Sequence, residues 1–195
     1  MSLQLPTFPQ YSIVSLVEKP YLLHTIRTDF FYTVEICVLT YTLQDKNQEL
    51  AVNLLGAVDE HASGVLHELL DKLTPKDVVL NMEAVRYFNS IGIRAWINFV
   101  KPLVDGRRAS YKNCPPDFIN QINMMPLLAR SVQILSFLSE FLCPECGHTQ
   151  LQLFDAQKER DVLLQEFQGM VCEECGGDLA PEEDPQAILY FKSTQ

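Results

Sequence analysis

Leu50-Ala51-Val52-Asn53-Leu54-Leu55-Gly56-Ala57-Val58-Asp59, followed after an interval by Val78-Val79-Leu80-Asn81-Met82-Glu83-Ala84-Val85-Arg86-Tyr87-Phe88-Asn89-Ser90-Ile91-Gly92-Ile93, changes hydrophobic period twice. Glu49 to Leu55 reads as a strand. After Gly56, Ala62, Val65, Leu66, Leu69, Leu70 and Leu73 recur at helical spacing, with Asp59 as the expected cap and Thr74-Pro75 as the stop. Asp77 to Met82 is a short apolar run of the kind found in buried strands. Ala84 to Ser90 is expected to be a loop. It leads into a helix from Ile91 to Val104 that places Ile93, Trp96, Ile97 and Val100 on one face.

Working outward, Ala109-Ser110-Tyr111-Lys112 predicts another strand. Pro115-Pro116 opens a third helix, since proline is tolerated in a first turn, and Phe118, Ile119, Ile122 and Met125 are its inward residues. Strands alternating with helices imply an α/β domain with parallel strands, because each helix returns the chain to the same edge. Upstream, Phe30 to Leu43 is dense in β-branched and aromatic residues and ends at Gln44-Asp45-Lys46-Asn47, so it is expected to pair with Glu49 to Leu55 as a hairpin. Ser12 to Val17 and Tyr21 to Ile26 are shorter strand candidates. Val132 to Leu142 predicts a further strand, and Ala187 to Phe191 a last one.

Cys143-Pro-Glu-Cys146-Gly147 and Cys172-Glu-Glu-Cys175-Gly176 are two Cys-x-x-Cys pairs 25 residues apart, each followed by glycine. Two thiolates three apart converge on one ion only where the backbone turns back on itself, and the glycine permits the positive φ of such a knuckle. The pattern predicts a structural Zn²⁺ site of Cys143, Cys146, Cys172 and Cys175. Its shell is complete without His148, and it has no open position at which to activate water. Cys37 and Cys114 read as ordinary buried thiols.

With 47% hydrophobic and 21% charged residues the chain has the composition of a protein with a core. It contains no apolar run of the roughly 18–20 residues that span a bilayer, and Met1-Ser2-Leu3-Gln4 does not begin a signal peptide, so no membrane association and a cytoplasmic location are expected. The net charge of −10 is concentrated: Asp155 to Asp184 holds ten acidic residues against Lys158 and Arg160. That balance repels phosphate backbones and makes nucleic acid an unlikely partner, while leaving a basic protein partner open.

The segments quoted first carry a resemblance to the STAS domain, the fold of bacterial anti-sigma-factor antagonists. It rests on a strand ending in Gly56 and Asp59, a Val-rich strand, and a Phe88-Asn89-Ser90-Ile91-Gly92-Ile93 loop at a helix start, and it covers Glu49 to Leu135. The resemblance implies a STAS-like mixed α/β fold and a regulatory, non-catalytic module. Such a module docks a protein partner, such as an anti-sigma-factor-type kinase or another regulator, through Asn89, Ser90, Ile91, Gly92 and Arg94. In the family a hydroxyl in this loop is phosphorylated. Here Asn89 replaces the family's Asp and Ile91 stands at the usual phosphorylation position, leaving Ser90 as a phosphosite or a helix cap.

The sequence offers no phosphate-binding Gly-rich loop, nucleophile elbow or His-Glu-x-x-His, and His61 and His67, six apart, do not share one helix face and sit beside no nucleophile motif, so no enzyme is expected. The expected organisation is residues 1–47 as a β segment extending the sheet, 48–140 as the STAS-like α/β domain, and 141–195 as a small β zinc ribbon. Homo-oligomerisation is compatible with this reading. The alternative is a transcription-related zinc-ribbon adaptor that contacts protein or nucleic acid.

Overall fold

In the computed structural model, residues 38–105, 108–128 and 132–193 are described. Thr40–Lys46 (β1) and Glu49–Val58 (β2) form an antiparallel hairpin, closed by Asn47 and Gln48 with Asn47 at φ 50°. The turn therefore falls slightly later than the residue pattern placed it. The candidate strands at Ser12–Val17 and Tyr21–Ile26, the Phe30–Cys37 part of the long β-like run, and Cys37 itself lie outside the described residues.

Ala62–Lys72 (α1), Asp77–Phe88 (β3), Ser90–Leu103 (α2), Ala109–Lys112 (β4), Pro116–Met124 (α3) and Gln133–Ile134 (β5) follow in alternation. The five strands make one sheet in the order β1-β2-β3-β4-β5, parallel from β2 onward. This is the mixed α/β arrangement expected, and the helical returns explain it. Val52 and Leu54 of β2 and Val78, Leu80 and Met82 of β3 are buried on one face, against Leu66 and Leu69 of α1 and Trp96 and Phe99 of α2. The other face carries a polar row across neighbouring strands: Asn81 donates to Asn53 at 3.1 Å, and Asn113 donates to Asn81 at 3.1 Å and to Glu83 at 3.2 Å.

Several local expectations are corrected. Asp59 does not cap α1; its carboxylate accepts from the His61 N–H and makes a turn ahead of the helix. The expected loop at Ala84–Ser90 is strand as far as Phe88, because Val85 and Phe88 still find the core. On α2, Phe99 and Leu103 join Ile93, Trp96 and Val100 in the core, and Ile97 is only half-buried. Met125 follows α3 and is only half-buried.

Val132–Leu142 is not one strand. The chain changes sheets at Leu135, whose N–H donates to Tyr111, and continues as Ser136–Leu142 (β6). Here β6 pairs antiparallel with Thr149–Asp155 (β7) on one side and with Ala180–Pro181 (β8) on the other. Arg160–Gln168 (α4), which has no counterpart in the sequence reading, covers this second sheet through Leu163 and Phe167; the Phe167 ring stacks on Phe154 at 4.4 Å. The expected final strand at Ala187–Phe191 is helical instead: Pro185–Ile188 (α5) and then a 3₁₀ turn over Leu189–Ser193. Asp184 caps α5 by accepting from Gln186, with Pro185 in the first turn, and Leu189 and Phe191 reach the core from successive turns.

The second sheet shares its core with the first. Cys114 at the end of β4 donates to Ser136 and accepts from Leu138, and Phe137 packs against both Phe154 and Phe191.

Candidate metal centre and docking loop

Two turns built alike face each other. The Gly147 N–H donates to the Cys143 carbonyl at 2.9 Å while the Cys143 N–H returns to His148 at 2.8 Å; the Gly176 N–H donates to Cys172 at 2.9 Å while the Cys172 N–H returns to Gly177 at 2.8 Å. Gly147 and Gly176 stand at φ 72° and 75°, a conformation that side chains rarely adopt, which is why each knuckle ends in glycine. The four sulfurs all lie within 4.8 Å of one another, with Cys143 to Cys175 at 3.5 Å and Cys146 to Cys172 at 3.7 Å. An ion with sulfur ligands at about 2.3 Å in a tetrahedron separates those sulfurs by roughly 3.8 Å. The cluster is therefore the right size to hold one metal ion.

The backbone prepares the site for thiolates. At Cys143 the N–H of Cys146 favours the thiolate most, against burial, and lowers it to about 7. At Cys175 the Gly177 N–H favours the thiolate, but the facing thiols outweigh it and raise it to about 12. Four thiols this close cannot all ionise without a cation between them. Cys143 and Cys172 are buried and Cys146 and Cys175 exposed. His148 stays outside the cluster and pairs with Glu173 at 3.2 Å.

At the start of α2, the residue that caps the helix is Asn89 and not Ser90. The Asn89 Oδ1 accepts from the Ile91 N–H at 3.1 Å and from the Gly92 N–H at 2.8 Å, while its Nδ2 donates to Glu60 at 2.6 Å. An amide can both accept from a helix end and donate to a carboxylate, whereas an ionised aspartate can only accept, so asparagine fits here where aspartate would not. The Glu60 carboxyl is held below its usual range by its own backbone N–H and then by Asn89. Beneath the cap, the position a Cβ would take at Gly92 is 1.8 Å from the Val58 oxygen, so α2 rests directly on the end of β2.

Above this support two large side chains stand exposed among polar ones. Ile91 is 58% exposed and Tyr87 52% exposed, and Ser90, Arg94 and Asn98 are also exposed. Tyr87 and Glu60 were not singled out from the sequence. The signal for Tyr87 was strand alternation, since its neighbour Phe88 points inward; nothing local announces Glu60, which meets Asn89 only in the fold. His61, just before α1, and His67 on it are both exposed.

No protein-family model matches the sequence, and no curated protein matches it. Among solved structures, the chain is similar to anti-sigma-factor antagonists. One, from Mycobacterium paratuberculosis, is 15% identical and spans 49% of this chain and 84% of its own, with a TM-score of 0.42. The antagonist SpoIIAA in its unphosphorylated form is 16% identical over 49% of this chain and 86% of its own, at a TM-score of 0.36. The Bacillus cell fate determinant SpoIIAA in its phosphorylated form is 16% identical over 49% and 90%, at 0.37. Among the described residues no helix is long and apolar enough to cross a membrane.

Proposed function

We propose that this protein is a non-catalytic regulator that binds a protein partner through Asn89, Ser90, Ile91, Gly92 and Arg94, and that its four-cysteine knuckles hold a structural zinc ion. The observation that carries the docking reading is Ile91: an isoleucine is 58% exposed on a helix start whose underside is locked by the Asn89 cap and the Gly92 contact with Val58. A rigid support under an exposed apolar side chain is what a docking point requires, because little conformational freedom is lost on binding. Tyr87 and Arg94 extend the same kind of surface, both residue types favoured at interfaces.

Zinc suits the second site because a closed tetrahedron of four thiolates is its usual structural donor set. Cys143, Cys146, Cys172 and Cys175 would hold it, and it would pin two knuckles that bring few buried apolar side chains of their own. The bound ion supplies cohesion, not an activated water.

The partner is a protein of the reducing cytoplasm, of the anti-sigma-factor-kinase type or another regulator. A switch through Ser90 would have to act beside the Glu60 carboxylate, which is bonded to the adjacent Asn89. A phosphate of charge near −2 there meets both the favourable helix dipole and that repulsion.

Affinity capture from the native cytoplasm with wild-type, Ile91→Asp and Ser90→Asp baits tests the docking, and metal analysis of protein purified without added metal tests the site. The expected outcome is one zinc per chain and a partner lost with Ile91→Asp. A partner retained by Ile91→Asp would reject this docking surface, and metal-free folded protein would reject the zinc site.

A further inference from the structure

We infer that the edge of β7 left unpaired among the described residues is a second docking site, one that takes an extended basic and apolar segment of another protein as an added strand. The site uses none of the residues at the start of α2, so it does not depend on that loop.

β7 pairs with β6 along all seven of its residues without a register shift, and among the described residues nothing pairs with its other edge. Sheet edges are normally blunted by charge, proline, a bulge or brevity. β5 and β8 are two residues long, β8 includes Pro181, and β1 ends in Asp45 and Lys46. β7, Thr149-Gln150-Leu151-Gln152-Leu153-Phe154-Asp155, has no charge before its last residue, no proline and no bulge.

The face beside this edge is apolar and uncovered. Leu151 is 54% exposed and Leu153 57% exposed, and Leu142 on β6 is exposed as well. The register sets Leu138 opposite Leu153 and Glu140 opposite Leu151, so the leucines form one patch with a carboxylate inside it. A strand laid along β7 would satisfy the unpaired backbone groups and place alternate apolar side chains on Leu151 and Leu153.

Charge decides the occupant. Asp155 stands in line with Leu151 and Leu153, the Glu173 N–H is bonded to the Gln150 side chain, and the 155–184 segment carries ten acidic residues against two basic ones. A second copy would bring the same net negative surface against itself, whereas a basic strand is attracted by it.

The test uses the full metal-loaded chain and a fluorescent ten-residue peptide of alternating valine and lysine, read by anisotropy at two salt concentrations. Expected are salt-sensitive binding, at least tenfold weakening by Leu153→Ser, and none by Leu55→Ser, an exposed leucine on the other sheet. Alternate N-methylation of the peptide should abolish binding by removing its donors, and a valine–glutamate peptide should not bind. Equal affinity of wild type and Leu153→Ser, or indifference to N-methylation, would overturn the proposal. So would sedimentation showing a wild-type dimer that Leu153→Ser converts to a monomer, which would make the occupant a second copy.

Discussion

Replacing Gly92 by alanine separates two accounts of why a glycine sits in the first turn of α2. Were it only a poor helix former, alanine would stabilise the protein by up to about 1 kcal/mol. The fold predicts the opposite sign. The new Cβ would lie 1.8 Å from the Val58 oxygen, 2.3 Å from the Val58 carbonyl carbon and 2.7 Å from the Asp59 nitrogen, all backbone atoms that no rotamer change can move away. Relief requires α2 and the end of β2 to separate, which strains the Asn89 N–H to Val58 bond of 3.2 Å and the cap bond to the Gly92 N–H. Overpacking against yielding side chains costs about 1–3 kcal/mol, so a clash with backbone should cost about 3 kcal/mol or more, or roughly 6–12 °C in Tm for a chain of this size. Urea unfolding followed by the fluorescence of Trp96, with calorimetry alongside, measures it. Gly64 in α1 is the control, because nothing lies within 4 Å of the Cβ it lacks, and Gly64→Ala should be neutral or stabilising. A Gly92→Ala protein as stable as wild type would refute the contact between α2 and β2.

Asn89→Ala should cost about 1 kcal/mol through the lost cap, measured by urea midpoint. Asn89→Asp keeps the cap but sets a second carboxylate against Glu60, so its Tm should match wild type near pH 3.5 and fall below it as pH rises and both groups ionise. The sign follows because the repulsive pair raises folded-state carboxyl affinity for protons, and such a pair loses stability with rising pH. Tyr111→Phe leaves the buried Trp96 Nε1, now 3.1 Å from the Tyr111 hydroxyl, without an acceptor, and should cost about 1–3 kcal/mol by the same unfolding assay. Cys143→Ser and Cys172→Ser should each abolish metal retention on gel filtration, while Cys114→Ser should leave metal content unchanged, because Cys114 lies buried at the end of β4 and outside the sulfur cluster.

The alternation of β2, α1, β3, α2, β4 and α3 could be read in the sequence because each element is long enough to show its own period, and each buries one face. The cysteine cluster was legible for a different reason: knuckle geometry fixes the Cys-x-x-Cys-Gly spacing locally, so no knowledge of the fold is needed. One expectation failed through partners distant in sequence. Val132 to Leu142 is uniform in character, and only the bonds from Leu135 to Tyr111 and from Cys114 to Ser136 divide it between two sheets. Ala187 to Phe191 has strand-like residues, yet the local Asp184-Pro185 helix start outweighs them.

Asn89 joins these two kinds of legibility. As a residue it departs from the loop pattern that the sequence resembles, and by itself the departure reads as the loss of a charge. In the fold a carboxylate stands beside it: Glu60, at the turn into α1, accepts from the Asn89 amide at 2.6 Å. Asparagine then serves three groups at once, the Ile91 and Gly92 N–H groups through its oxygen and Glu60 through its nitrogen. An aspartate would serve only the first two. The loop is therefore held on both sides, by β2 under Gly92 and by Glu60 beside Asn89, and Ile91 is left as an exposed apolar side chain. Under the proposed docking role, a loop braced in this way loses little freedom on binding and so fits a standing interaction.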